Sequence, residues 1–334
     1  MQVLSVQTNM KRKIYSLLAI CLGILLINFE ANGQQDAQFS QYMFNQLFLN
    51  PATAGINDEY IETSIIHRSQ WLGYSATFDD GGAPSTQVAS FSMPIYKINS
   101  GVGMHFVHDQ LGPLSSMELQ LSYAYHHVFK NKSKLSIGGR MGLYNQTISG
   151  KWRYVDINDP YIPTEGSISQ MKPDFGLGLY YSTRQFFSGI SLNHLTASGF
   201  TNTQGITISS LNRHSTAIIG YHFDLNEKSI LTPSALVKTD FNSTSFEASL
   251  LYYYDKQFFF GLSSRASNAL DAVIAIAGFN MLKDKSLRIT YSFDYVTSGQ
   301  TAKKPTSHEI GIAYRILAPK PVLPAVIRTP RFRH

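Results

Sequence analysis

From Tyr60 to Ile316, apolar and polar residues alternate with period two, the pattern of strands whose two faces meet different surroundings. In Arg288-Ile289-Thr290-Tyr291-Ser292-Phe293-Asp294-Tyr295, the odd-numbered positions are apolar or aromatic and the even-numbered ones polar or charged. Glu118 to Tyr123 and Glu309 to Arg315 repeat the pattern, and no stretch holds a helical period over three turns. Fourteen such runs lie near residues 59–67, 85–96, 100–110, 115–128, 133–146, 173–182, 185–196, 214–223, 229–239, 244–254, 257–264, 270–281, 285–295 and 307–316.

The connections between these runs sort into two kinds. Residues 97–99, 130–132, 183–184, 224–228, 255–256 and 282–284 make short polar turns, whereas 68–84, 147–172, 197–213 and 296–306 are longer. A soluble sandwich or propeller would alternate in the same way without separating its connections like this. The expectation is an all-β fold, a transmembrane antiparallel barrel of about 14 strands over residues 59–316, with short periplasmic turns and longer external loops. Tilted strands of about ten residues cross a bilayer, and closure leaves no backbone group unpaired in lipid. An even strand count places both chain ends in the periplasm and the protein in the outer membrane.

Aromatic content fits this reading, with 19 Tyr and 21 Phe in the chain. Tyr60, Tyr96, Phe129, Tyr144, Tyr180, Tyr181, Phe258, Tyr295 and Tyr314 fall near strand ends, where rings favour the boundary between water and lipid. The plainer explanation is that strands favour aromatics anyway.

Residues 1–33 read as a secretory signal peptide. Lys11-Arg12-Lys13 precede a mostly apolar run from Ile14 to Ile27, and Ala31-Asn32-Gly33 fits a small-x-small cleavage site. The run is shorter than the roughly 20 residues a membrane helix needs. Cys21 lacks the preceding small residue that lipidation wants, because Ile20 stands there. Cleavage removes this only cysteine, and with it disulfide and thiol chemistry. It also removes three basic residues and Glu30, taking the net charge from +6 to +4. That charge is mild and scattered, which gives nucleic-acid binding no support.

Candidate chemistry is sparse. His105 and His108 stand three apart in a strand and so face opposite sides, as do the adjacent His126 and His127, so neither pair chelates one metal. The glycine pairs Gly101/Gly103 and Gly176/Gly178 lack the following helix of a phosphate cradle, and better suit curvature or close packing. There is no Gly-x-Ser-x-Gly elbow. No catalytic, metal or cofactor site is expected.

Two stretches lie outside the strand pattern. Residues 34–58 alternate amides and aromatics and read as a periplasmic or plug segment, with 39–49 a short helix or irregular run. Asn50 can cap a helical turn with Pro51 at its first position, and Gly55 stops it. Asn50-Pro51-Ala52 also matches half of the paired motif of water channels, but those need two copies and several membrane helices. Residues 317–334 form a basic tail with four prolines, either a disordered terminus or an extended periplasmic peptide docking through Lys320, Arg328, Arg331 and Arg333.

The stretch FSQYMFNQLFLNPATAG, through Phe39, Ser40, Gln41, Tyr42, Met43, Asn45, Asn50, Pro51, Ala52, Ala54 and Gly55, closely resembles the amino-terminal signature of the PorP/SprF family of type IX secretion-system outer-membrane proteins. Arg68-Ser69-Gln70-Trp71 resembles the family's Arg-x-Gln-Trp. Gln46 departs from the signature, where proline is more usual, and the basic tail is not part of it. The resemblance implies a non-enzymatic barrel that supports export and surface attachment or docking of secreted proteins such as a large adhesin. It also implies contact with the machine's periplasmic lipoprotein ring, and in some members a link to gliding motility. Phe39, Ser40, Gln41, Tyr42, Asn45, Asn50, Pro51, Gly55, Arg68, Gln70 and Trp71 are then the expected plug or partner-binding residues. The other readings of the barrel are a passive porin or hydrophobic-solute channel and an outer-membrane hydrolase.

Overall fold

The structure is a computed structural model and describes residues 37–74, 82–149, 166–201, 205–267, 269–282, 284–297 and 305–319. The expected signal peptide and the tail residues Lys320, Arg328, Arg331 and Arg333 lie outside these.

Residue alternation is converted directly into a closed wall. The strands are β1 (Tyr60–Ser69), β2 (Ser85–Ile95), β3 (Ser100–Leu111), β4 (Leu114–Val128), β5 (Lys134–Ser149), β6 (Ser167–Ser182) and β7 (Phe186–Asn193). After a small separate hairpin of β8 (Gly199–Thr201) and β9 (Thr207–Ser210) come β10 (His214–Tyr221) and its continuation β11 (Phe223–Asp224). The wall is completed by β12 (Ser229–Thr239), β13 (Thr244–Tyr254), β14 (Phe258–Ala266), β15 (Leu270–Met281), β16 (Leu287–Val296) and β17 (Thr306–Leu317). Every pairing is antiparallel between successive wall strands, β7 pairing β10 across the β8–β9 hairpin, and β1 pairs β17 from Tyr60↔Leu317 to Ser69↔His308. Because β10 and β11 occupy one position against β12, the result is a closed barrel of fourteen strands.

The faces are inverted relative to a soluble core. On β4, Glu118, Gln120 and Ser122 are buried, while Leu119, Leu121 and Tyr123 are 43–55 % exposed. Apolar side chains thus cover the outside and polar ones line the inside, as lipid requires. No helix among the described residues is long and apolar enough to cross a membrane; the strands do so.

Several boundaries differ from the pattern-based expectation. β6 starts at Ser167 rather than 173, because Ser169, Gln170 and Lys172 are too polar to register as strand. β1 runs through Ser69, which withdraws Arg68 from the expected external loop and turns it into the barrel. β7 ends at Asn193, and β5 runs on to Ser149. Residues 75–81, 150–165, 202–204 and 298–304 of the long connections lie outside the described residues.

Among the strand-end aromatics, Phe129, Phe258, Tyr295 and Tyr314 face outward at 41–52 % exposure. Tyr180 does not: its register parity points it inward, where it stacks on Phe187 at 6.5 Å. Tyr144 likewise packs beside His194 and Phe200, and Tyr60 borders an interior cavity.

Candidate functional site

The inward face of the barrel is organised around residues 37–56. They form three short turns, Tyr42–Phe44, Gln46–Leu49 and Pro51–Thr53, rather than one helix over 39–49. Asn45 interrupts the run with φ −123°, and Pro51 cannot donate the hydrogen bond that would continue a helix into the last turn.

At its beginning the segment is held by charge. The Glu309 carboxylate accepts the backbone N–H of Ser40 at 2.8 Å and of Gln41 at 3.0 Å. Ser40 Oγ donates to Asp294 at 2.6 Å and accepts from Arg68 at 2.7 Å. Arg68 also pairs with Asp294 at 2.8 Å and Glu309 at 3.1 Å, and Arg265 joins Glu247 at 3.1 Å. Gln41 donates to the Glu309 carbonyl and accepts from Thr290. Lys238 donates to the Ala37 carbonyl at 3.1 Å. All these groups are nearly water-free, so each charge depends on its partner for solvation.

Apolar packing takes over next. Phe39, Tyr42, Phe48 and Leu49 join Ile66, Val88, Val107, Tyr180, Phe187, Ile218 and Leu236 in one buried cluster, with Phe39 edge-on to Phe48 at 5.3 Å. The Tyr42 hydroxyl meets Ser234 at 2.8 Å.

The far end is held through the backbone. Asn50 caps its own turn by accepting from Ala52 N at 2.9 Å, and donates to the carbonyls of Leu179 (2.9 Å) and Ile190 (3.1 Å). Arg140 donates to Phe48 O, Ser191 to Leu49 O, and Lys134 to Ile56 O. Ala54 O lies 2.9 Å from His126 Nε2. The wall here is lined by glycine because the segment lies directly on it. A Cβ would fall 2.0 Å from Asn50 Oδ1 at Gly178, 2.5 Å from Ala52 N at Gly138 and 2.2 Å from Ala54 O at Gly101. Gly55, at φ +63°, turns the chain out toward β1.

The segment therefore crosses the interior diagonally. Ala37 and Ser40 lie at the long-connection end of β1, β12, β14 and β16, and Ala54 to Ile56 at the short-turn end of β3 to β5. Of the residues singled out in sequence, Phe39, Ser40, Gln41, Tyr42, Asn45, Asn50, Pro51, Gly55 and Arg68 meet inside the barrel. Gln70 and Trp71 do not. Their backbone N–H groups bond Pro84 O and Ser307 Oγ, which shapes the β1–β2 connection at the rim. No local motif singles out Asp294, Glu309, Arg265, Glu247 or Arg140, although Asp294 and Glu309 sit on the polar parity of clearly alternating strands.

A second polar cluster lies deeper along β3, β4 and β6: His194 and Gln120 bond Asp174 at 2.9 and 2.7 Å, and His105 faces Glu118 at 3.4 Å. Among the described residues no group of three or more His, Cys, Asp or Glu side chains is arranged to hold a metal.

A closed fourteen-strand barrel with an apolar exterior and a chain segment clamped inside it is an outer-membrane barrel protein. Two solved structures share its fold: the Ralstonia pickettii toluene transporter TbuX (TM-score 0.53, 12 % identity, 82 % of this chain and 93 % of that one) and the CymD monoaromatic hydrocarbon channel (0.54, 13 %, 86 % and 94 %). A comparison with curated proteins finds no match. The family model for the type IX secretion system membrane protein PorP/SprF matches residues 31–314, and the chain belongs to that family.

Proposed function

We propose that this barrel supports export through the type IX secretion machinery and the surface attachment or docking of its substrates, without catalysing a reaction. The observation that carries the reading is the coincidence of the family match with the place of its amino-terminal signature: FSQYM and NPATAG are the residues clamped in the barrel. The signature thus encodes interior contacts, and the segment serves as a plug or docking element.

In this reading the short turns face the periplasm and meet the lipoprotein ring, with the chain after β17 leaving there as a tail. The long connections meet a large surface adhesin, in some members one used in gliding. Ala37 sits at the opposite end from the short turns, held there by Lys238 near the end of β12.

The names of the two fold neighbours favour a hydrophobic-solute channel as the second reading. Against it stands the interior itself, crossed by the segment and lined by buried ion pairs. Deleting the gene and quantifying surface and secreted proteins tests the proposal: loss of a defined set of type IX substrates is expected, and an unchanged set refutes it. Conductance of the purified barrel in planar bilayers would favour the channel.

A further inference from the structure

Residues 37–56 form a strap across the barrel, and at the short-turn mouth a cavity of about 200 Å³ opens between it and β1, β2, β16 and β17. Its apolar floor is Met43, Phe44, Leu47 and Ile56. On one side Glu62 holds two arginines, accepting from Arg315 Nε at 2.6 Å and Arg288 Nη2 at 3.1 Å. One carboxylate for two guanidinium groups leaves a net positive charge. Arg288 lies over the Phe44 ring at 4.6 Å, so its plane is set by packing. Each guanidinium bonds Glu62 through one nitrogen, Nη2 of Arg288 and Nε of Arg315.

The opposite side supplies a second feature. Asn45 is 3 % exposed and lies between this cavity and a closed gap beside Phe39, Leu236 and Glu247; neither its Nδ2 nor its Oδ1 has a partner, and the buried Ser90 Oγ beside the cavity has none either. A buried amide with both ends unmade destabilises the fold unless something binds there. The cavity therefore presents two guanidinium groups that share one carboxylate, and an apolar floor.

We propose that this cavity binds a peptide carboxylate, either an acidic side chain or a chain terminus, presented at the short-turn mouth. Arg288 and Arg315 take the carboxylate, and the apolar floor takes the adjoining aliphatic part of the peptide. The inference stands apart from the secretion reading, since it concerns binding by the isolated protein.

The test uses the full barrel folded in detergent and ligand-detected NMR titration with acetyl-Gly-Glu-amide, acetyl-Gly-Ala with a free carboxylate, and acetyl-Gly-Gln-amide. Saturable binding of at least one carboxylate probe is expected, about tenfold or more tighter than the neutral one. The variants carry opposite signs. R315Q leaves Glu62 neutralising Arg288 and weakens binding; N45D adds a negative charge and weakens it; E62Q frees both guanidinium groups and strengthens it. Equal binding of the neutral probe, a dissociation constant unmoved by R315Q and N45D, or acetate alone binding as tightly as the peptides would overturn the proposal. Should E62Q fail to fold, R315Q still decides, because Arg315 is 24 % exposed at the mouth.

Discussion

Replacing Glu309 by Gln should loosen the amino-terminal strap while leaving the barrel closed. Glu309 is fully buried and accepts three donors at once, the N–H groups of Ser40 and Gln41 and the guanidinium of Arg68. Glutamine keeps one acceptor oxygen and turns an NH₂ group toward the remaining donors. Ser40 and Arg68 share one carboxylate oxygen, so an amide oxygen kept there loses the Gln41 bond and weakens the other two as the charge goes. Together this is the equivalent of two charge-assisted bonds at roughly 1.5–3 kcal/mol each. Arg68 retains Asp294, which brings the expected cost to the low end, about 3 kcal/mol. Spent on local opening, this raises the released population by about a hundredfold. Hydrogen exchange of the folded protein in detergent reads the effect at the Ser40 and Gln41 amides. They should exchange about a hundredfold faster, while amides of the β4–β5 pairing keep their protection. Unchanged exchange at Ser40 and Gln41 would refute the reasoning that this carboxylate anchors the strap.

Gly178→Val should expel the Asn50-Pro51 turn, because even a Cβ would stand 2.0 Å from Asn50 Oδ1; protease should then cut within residues 46–53 of a barrel that still migrates heat-modifiably. Asn50→Ala removes a cap and two bonds to strand carbonyls, and should destabilise the segment by about 1–2 kcal/mol, read as earlier release in denaturant titration. Arg68→Met leaves Asp294 and Glu309 without their shared cation and should cost about 3–5 kcal/mol, lowering the thermal midpoint more than Glu309→Gln does. Thermal melting of both variants checks that order.

The wall of the barrel was legible because membrane strands must alternate. The parity of residues 288–295 separated Asp294 and Thr290, both buried, from Tyr291 and Tyr295, which are exposed outside. What alternation cannot convey is which inward groups meet. Arg68 and Glu309 stand 241 positions apart and touch only because β1 closes on β17. Parity also outranks amino-acid preference for an interface: Tyr180 and Tyr144 lie near strand ends yet turn inward by register. The segment was visible as an anomaly in composition, and its turn at Asn50-Pro51 was readable from local capping. Its path was not, because it is dictated by glycines on β3, β5 and β6 whose lack of a side chain has no periodic signature. Gln70 and Trp71 share a motif with Arg68 but not its location, since the strand ends at Ser69.

The most direct test of the central claim, that the clamped segment serves secretion, is chromosomal deletion of residues 36–52 followed by quantitative comparison of the surface and secreted proteins with those of the gene-deletion strain. The expected result is normal amounts of heat-modifiable barrel in the outer membrane, together with loss of the same exported proteins that the full deletion loses. An inserted barrel with an unaltered set of exported proteins would contradict it.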